Sequence, residues 1–226
     1  MAQPDIIITT CAADFVDELV NIQRVVYEGS KTEDSVDALH AEHFLSMIAA
    51  FPDGQFMAVD AATGRVVGHT ASMRIGFDPT QPFVEPWVVT TGYGHLTTHV
   101  PDGDWMYGVE SAVLPEFQRQ GVGSRLYAAR FALAQRLNLR GIVAGSTIMG
   151  YHEHAATLSP DDYVSAVVAG LLYDNNLSKQ LRKGFRVLNV IPDYVTDALS
   201  CGYGAAIVWD NPTCDPSQPS LNSSAV

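Results

Sequence analysis

Between Gln118 and Ser124 the chain reads Gln-Arg-Gln-Gly-Val-Gly-Ser, with two glycines one residue apart just ahead of a segment of helical spacing. The first turn of a helix carries backbone N–H groups without intrahelical partners and a partial positive charge. Glycine, lacking Cβ, lets a ligand come close to that backbone. Such a stretch suits the holding of a pyrophosphate, with Gln118, Arg119 and Ser124 as side-chain supplements. Two familiar phosphate loops are excluded by the residues themselves. No Lys-Ser/Thr follows the glycines, as a nucleoside-triphosphate loop requires. Leu126 stands where the dinucleotide fingerprint has its third glycine.

Presenting this loop requires a strand before it and a helix after it. Trp105–Leu114 reads as a central strand and Gly123–Leu137 as the helix, followed by a strand at Gly141–Gly145. Ahead of them come a strand at Ile6–Thr9, a helix over Asp14–Tyr27, a polar stretch at Gly29–Ser35, and a helix over Val36–Ala50. That second helix should point Leu39, Phe44, Leu45 and Ile48 inward. Gln55–Asp60 and Arg65–Ile75 read as a hairpin. The long irregular run from Gly76 to Asp104 reads as an ordered cover rather than a tail, since it carries Trp87, Tyr93, His95 and His99. Tyr151–Ser159 reads as loop, Pro160–Gly170 and Leu177–Lys183 as helices, and Phe185–Ile191 and Ala205–Trp209 as closing strands. The sequence predicts one mixed α/β domain over residues 1–211 and a disordered Pro/Ser/Asn-rich tail over 212–226.

Composition narrows the function class. The 226 residues are 47% apolar and 17% charged, enough for a sizeable core. No run approaches the ~18 apolar residues of a membrane span, and the N-terminus lacks the pattern of a secretory signal. A net charge of −12 argues against nucleic acid as partner; it is compatible with a cationic substrate, although a negative surface serves solubility first. Three cysteines without ligand-like spacing point to a reduced cytoplasmic protein. Of seven histidines, His40/His43 and His152/His154 come in pairs with no third ligand beside them, so no metal is expected.

Read whole, Gln118-Arg119-Gln120-Gly121-Val122-Gly123 resembles the Gln/Arg-x-x-Gly-x-Gly/Ala signature of the GNAT superfamily of acyl-CoA-dependent N-acyltransferases. The preceding "AVLPEF" is similar to the end of that family's central strand. "LSKQLRKGFRVLNV" is similar to its late helix running through Gly-Phe into the next strand. The likeness extends from Ile6 to Trp209. "GYHEHAATLSPDDYVSAVVAG" with "AAIVWDNP" further resembles the acyltransferase-like domain joined to nitrilase-type amidohydrolases.

The resemblance implies an α/β fold (an α+β mixed sheet) whose central strands, here Trp105–Leu114 and Gly141–Gly145, splay apart between flanking helices. It implies acetyl-CoA or another acyl-CoA as co-substrate, its pantetheine in the wedge between those strands. The pyrophosphate would rest on Gln118, Arg119, Gln120, Gly121, Val122, Gly123 and Ser124, with Asn176 as a further contact. A backbone N–H at Val113 or Leu114 would polarise the thioester carbonyl. The amine of a small metabolite would attack directly. From the residues themselves, Gly76–Asp104 and Ser146–Ser159 should shape its pocket, and Trp87, Tyr93, Trp105, Tyr107 and Tyr151 are candidates to line it, with core packing the expected place of at least half of them. A protonated amine needs a base, for which Glu110 comes first and His152 and His154 are alternatives. Where the family often has an acid tyrosine, this chain has Gln180. Either the CoA thiolate leaves unassisted, or Tyr151 or Tyr107 serves. A homodimer through the closing strands is a family-level expectation. Two rivals stay open: an acyl-CoA-binding sensor or scaffold without turnover, and thioester chemistry with a non-amine acceptor.

Overall fold

The computed structural model describes residues 5–27 and 38–221. Seven strands make one sheet: β1 (Ile6–Thr10), β2 (Phe56–Asp60), β3 (Val66–Ile75), β4 (Trp105–Val113), β5 (Gly141–Thr147), β6 (Arg186–Ile191) and β7 (Gly204–Asp210). Their spatial order is β1-β2-β3-β4-β5-β7-β6. Neighbours are antiparallel except β4 and β5, which are parallel. Parallel neighbours need a crossover, and the helix α4 (Val122–Arg136) supplies it.

The splay expected between the central strands is present. β4 and β5 pair only from Trp105↔Gly141 to Gly108↔Ala144. Beyond that point β4 stays with β3 as far as Val113, and β5 stays with β7 as far as Thr147. Two strands committed to different neighbours must part, and a wedge opens between them.

A bulge lies at the same place. The β3–β4 register passes from Ala71↔Glu110 to Ser72↔Gly108, so Val109 is extra. It keeps Tyr107 and Glu110, three residues apart, on one face of the sheet. The carbonyls left by the bulge are answered from α4: the buried Arg130 guanidinium donates to Ala71 O at 2.8 Å and Glu110 O at 2.9 Å.

Side chains alternate across a strand, and β3 shows what covers each face. His69 meets Gln23 of α1 (Val16–Val26) and the Phe44 ring of α2 (Ala41–Ala50). Thr70 and Ser72 turn the other way and bond Arg130. The α1–α2 pair and α4 therefore lie on opposite faces. α2 begins at Ala41, later than Val36, and the expected polar stretch at Gly29–Ser35 lies outside the described residues. Met47 is buried on α2 while Leu45, expected inward, is 47% exposed. Leu45 is one residue beyond Phe44, about 100° around the helix and off the buried stripe.

The run from Gly76 to Asp104 contains a short helix, α3 (Trp87–Thr91). Its Trp87 is buried, the indole Nε1 donating to Val109 O at 2.9 Å, and its backbone N–H donates to Tyr194 O. The cover is thus pinned to the bulge. α5 (Pro160–Val168), with Ser159 capping Asp162 N–H, and α6 (Leu177–Leu181) complete the helices among the described residues. Buried Asp174 ties them to the end of β5, accepting from Tyr163 Oη, Gly150 N–H and Leu177 N–H. The stretch after Pro212, expected to be without structure, lies along the body as far as Leu221. Arg74 donates to Leu221 O at 2.8 Å, and Leu221 N–H donates to Leu137 O.

Candidate active site

The loop between β4 and α4 makes one 3-10 turn, Pro115–Phe117, then bends through two left-handed residues, Arg119 (φ 59°) and Gly121 (φ 84°). Gly121 occupies the N-cap of α4 with no side-chain cap, and the first intrahelical bond is Arg125 N–H to Gly121 O. The N–H groups of Val122, Gly123 and Ser124 therefore precede the hydrogen-bond ladder. Gln118 Nε2 donates to Val113 O at 3.0 Å, and Gln120 Nε2 to Glu116 O at 2.6 Å. These amides brace the loop and leave its backbone donors outward. Gln118, Arg119, Gly121 and Ser124 are exposed, whereas Val122 is buried beneath them.

The strand leading into the cradle has two edges. Leu114 N–H donates to Val67 O at 2.9 Å, which commits it to β3. Antiparallel pairing alternates, so Ser111 and Val113 turn their N–H groups toward the wedge. The Ser111 N–H meets Glu110 Oε1 at 3.0 Å. Of the two carbonyl-polarising donors considered from sequence, Val113 faces the wedge and Leu114 does not.

Glu110 is half-buried on the α1–α2 face. Tyr27, at the end of α1, donates to its Oε1 at 2.7 Å. Fully buried His69 lies nearby, with Gln23 Nε2 at 3.0 Å from its Nε2. Burial pushes its pKa down from 6.5 to about 4, against the pull of Glu110. His69 is a neutral core histidine at neutral pH.

The residues expected after β5 are placed elsewhere. Tyr151 is buried, and its hydroxyl donates to Leu158 O at 3.0 Å within its own loop. Carbonyl oxygens only accept, so His152 Nδ1 carries a proton and donates to Met149 O and Leu199 O. His154 packs against the Tyr163 ring. Tyr151 and His154 thus belong to the packing around α5, and none of these three has a contact to Glu110. Tyr107 is fully buried with its hydroxyl 2.9 Å from that of Tyr194, and burial pushes both phenols well up. That makes Tyr107 a poor acid. Asn176 Nδ2 donates to Thr147 O at 3.2 Å, holding the last residue of β5. Of the aromatic residues considered for a pocket, Trp87, Trp105, Tyr107 and Tyr151 are buried in the core and Tyr93 is exposed.

Three residues escaped the sequence reading. Tyr27 lies 83 positions from the carboxylate it holds. Tyr127 stands one turn beyond Ser124 on α4, and its hydroxyl accepts from Gln180 Nε2 at 3.0 Å. Lys183 donates to Ser124 Oγ at 3.1 Å at the mouth of the cradle. Its position just before Gly184-Phe185, where α6 turns back over α4, was a usable signal.

A model of the acetyltransferase (GNAT) family matches residues 16–156. The chain is 35% identical over 204 residues to the probable hydrolase YhcX of Bacillus subtilis (strain 168), a match covering 90% of this chain and 38% of that protein. It is 29% identical over 170 residues to the uncharacterized N-acetyltransferase YkwB of the same organism, covering 75% of this chain and 74% of that one. The chain therefore spans well under half the length of the first relative and about three quarters of the second. Among solved structures, its fold is similar to that of GphF, a GNAT-like decarboxylase in complex with isobutyryl-CoA. The TM-score is 0.75 at 20% identity, over 91% of this chain and 99% of that one.

Proposed function

The chain belongs to the acetyltransferase (GNAT) family, and on that premise we propose that it transfers an acyl group, acetyl first, from acyl-CoA to the amine of a small metabolite. One observation carries the reading: an uncapped helix N-terminus follows directly on a strand that has parted from its parallel neighbour. A pyrophosphate has backbone donors at Val122, Gly123 and Ser124, with Lys183 beside them. The acyl arm enters the wedge, and the Val113 N–H polarises the thioester carbonyl.

The amine comes from the α1–α2 face, where Glu110 is held through Oε1 by Tyr27 and the Ser111 N–H. Glu110 Oε2 takes the amine proton. The C–N bond forms, the C–S bond breaks, and no covalent enzyme intermediate arises. Rate comes mainly from holding both substrates in the wedge. The pinned cover over residues 76–104 supports a small acceptor over a protein segment.

The test is calorimetric titration with acetyl-CoA, followed by a screen of small amines for thiol release. Binding lost in Gly121→Asp, together with amine-dependent release in the wild type, is the expected result. A folded wild type without affinity for acetyl-CoA would remove the reading. A second reading has one observation in its favour, the similarity at TM-score 0.75 to a GNAT-like decarboxylase. On that reading a carboxylated acyl-CoA loses CO2 with its thioester intact. Amine-independent CO2 release without free thiol would select it.

A further inference from the structure

We propose that Tyr127 is the acid of this reaction, giving its phenolic proton to the CoA sulfur as the C–S bond breaks, with Gln180 as its positioning residue. The inference rests on the acyl-transfer reading above.

A departing alkyl thiolate is basic, and a placed donor lowers the barrier to its release. Ser124, Tyr127 and Arg130 follow at spacing three and share one side of α4. Ser124 lies in the cradle and is exposed, Tyr127 is half-buried, and Arg130 is buried. The Arg130 tip marks where β4 and β5 part. A Cβ on Gly108, the last paired residue of β4, would lie 3.1 Å from Arg130 Nη1 and 3.2 Å from Ala144 Cβ. A chain reaching from the cradle to the apex of the wedge runs past Tyr127.

The ring is held by Phe131 and Phe185, each with its centroid 6.0 Å away. The hydroxyl is oriented by Gln180: an amide N–H only donates, so the phenol oxygen accepts there and its own proton points elsewhere. Among the described residues nothing takes that proton. By contrast, Tyr151 donates to Leu158 O, and the hydroxyls of Tyr107 and Tyr194 face each other.

Gln180 adds an independent sign of a ligand. It is 94% buried, and its Oε1 has no hydrogen-bond partner among the described residues. A buried orphan acceptor calls for an explanation. An amide N–H on the pantetheine arm is a donor of the right kind, and the same side chain then fixes both the arm and the Tyr127 hydroxyl. In the balanced step, the amine nitrogen bonds the carbonyl carbon and gives a proton to Glu110. The electrons of the C–S bond leave on sulfur, and the Tyr127 proton converts the thiolate to thiol. Solvent then returns a proton to Tyr127 and removes one from Glu110.

The experiment uses the full chain with acetyl-CoA and the best amine, reading thiol release in a single turnover and acetyl-CoA affinity by titration. Tyr127→Phe keeps the ring and should slow release about 100-fold while affinity stays within about twofold. Exchanging the two side chains, Tyr127→Gln with Gln180→Tyr, returns a hydroxyl to the same spot from the other helix. It should recover about tenfold over Tyr127→Phe. Should the exchange not fold, Gln180→Met tests the positioning alone, since it removes the hydroxyl's partner and the orphan acceptor together. It should slow release about tenfold at saturating acetyl-CoA and weaken acetyl-CoA binding about fivefold, whereas Tyr127→Phe leaves affinity alone.

Wild-type rates in Tyr127→Phe, or a loss that tracks acetyl-CoA affinity, would overturn the assignment. Full release in Gln180→Met would remove Gln180 from it. A wild type that binds acetyl-CoA but releases no thiol with any amine sinks the transfer reading, and the inference with it. Wild-type release that is undiminished in Tyr127→Phe removes the inference alone.

Discussion

The two faces of β4 are built from different material. On the α4 face the cradle is almost entirely backbone: Gly121 in a left-handed conformation, an uncapped first turn, and a loop braced by the amides of Gln118 and Gln120. On the α1–α2 face the chemistry is carried by side chains from distant parts of the chain. Tyr27 reaches Glu110 across 83 positions, and Gln23 reaches His69 across 46. Backbone donors can hold any pyrophosphate, so the first face answers to a feature shared by all acyl-CoA molecules. On the proposed reading the second face meets the acceptor, and its side chains could then be exchanged without disturbing the cradle. Variants that separate the two faces test this division.

The largest effect belongs to the acceptor face. Glu110→Gln keeps an acceptor for Tyr27 and for the Ser111 N–H but no longer takes a proton. Turnover should fall about 1,000-fold with acyl-CoA affinity unchanged. Steady-state kinetics beside calorimetry read both quantities. If affinity falls with turnover, the faces are not independent.

Gly121 probes the other face. Asp puts a Cβ and a negative charge at the helix N-cap, where a pyrophosphate would compete with it. Acetyl-CoA affinity should drop about 100-fold, with φ near 84° adding about 1 kcal/mol of strain. Gly121→Asn carries the strain without the charge, and it should lose far less affinity by the same titration. Equal losses would mean that backbone shape, not the anion, is what Gly121 serves.

The contrast also explains what the sequence made legible. Gln118–Ser124 is contiguous, and Gly121 takes a left-handed conformation that favours glycine, so the cradle could be read off one line of residues. The splay was legible only through the resemblance carried by the loop signature, and in the structure it follows from β4 and β5 keeping different partners beyond Gly108 and Ala144. Two things were hidden. Leu114 and Val113 differ only in which edge of β4 their N–H groups face, which depends on the register with β3. Tyr151 and His152 looked available because loops usually are, yet both spend their polar atoms on nearby carbonyls. Tyr27 became a partner of the site only through tertiary packing, which no local spacing encodes, whereas Tyr127, one turn beyond Ser124, and Lys183, just before Gly184-Phe185, each left a local signal.

The acceptor face should also be the pH-sensitive one. His69 has a folded pKa of about 4 against 6.5 when unfolded. Its depressed value means that stability is complete above 6.5 and is lost as pH falls toward 4, because the unfolded chain binds the proton first. At pH 5 the loss amounts to about 2 kcal/mol from this group alone. His69→Gln keeps a polar tip near Gln23 without titrating. Urea denaturation at pH 7 and pH 5 should therefore show a smaller pH effect in His69→Gln than in the wild type. An equal pH effect would place the acid sensitivity outside this face.

The smallest effect sharpens how far the cradle depends on backbone. Lys183 is half-buried, its ammonium 3.1 Å from Ser124 Oγ and 5.4 Å from the Tyr127 ring centre. Burial lowers its pKa from 10.5, and Lys179 adds to this. An exposed or half-exposed charge beside a phosphate contributes modestly, so Lys183→Met should weaken acetyl-CoA binding about fivefold, near 1 kcal/mol. Because the contribution is electrostatic, the difference between wild type and Lys183→Met should shrink as salt is raised. Titrations at low and high ionic strength check this. A difference that persists in salt would assign Lys183 to packing over Tyr127, and no difference at either strength would leave the cradle to backbone alone.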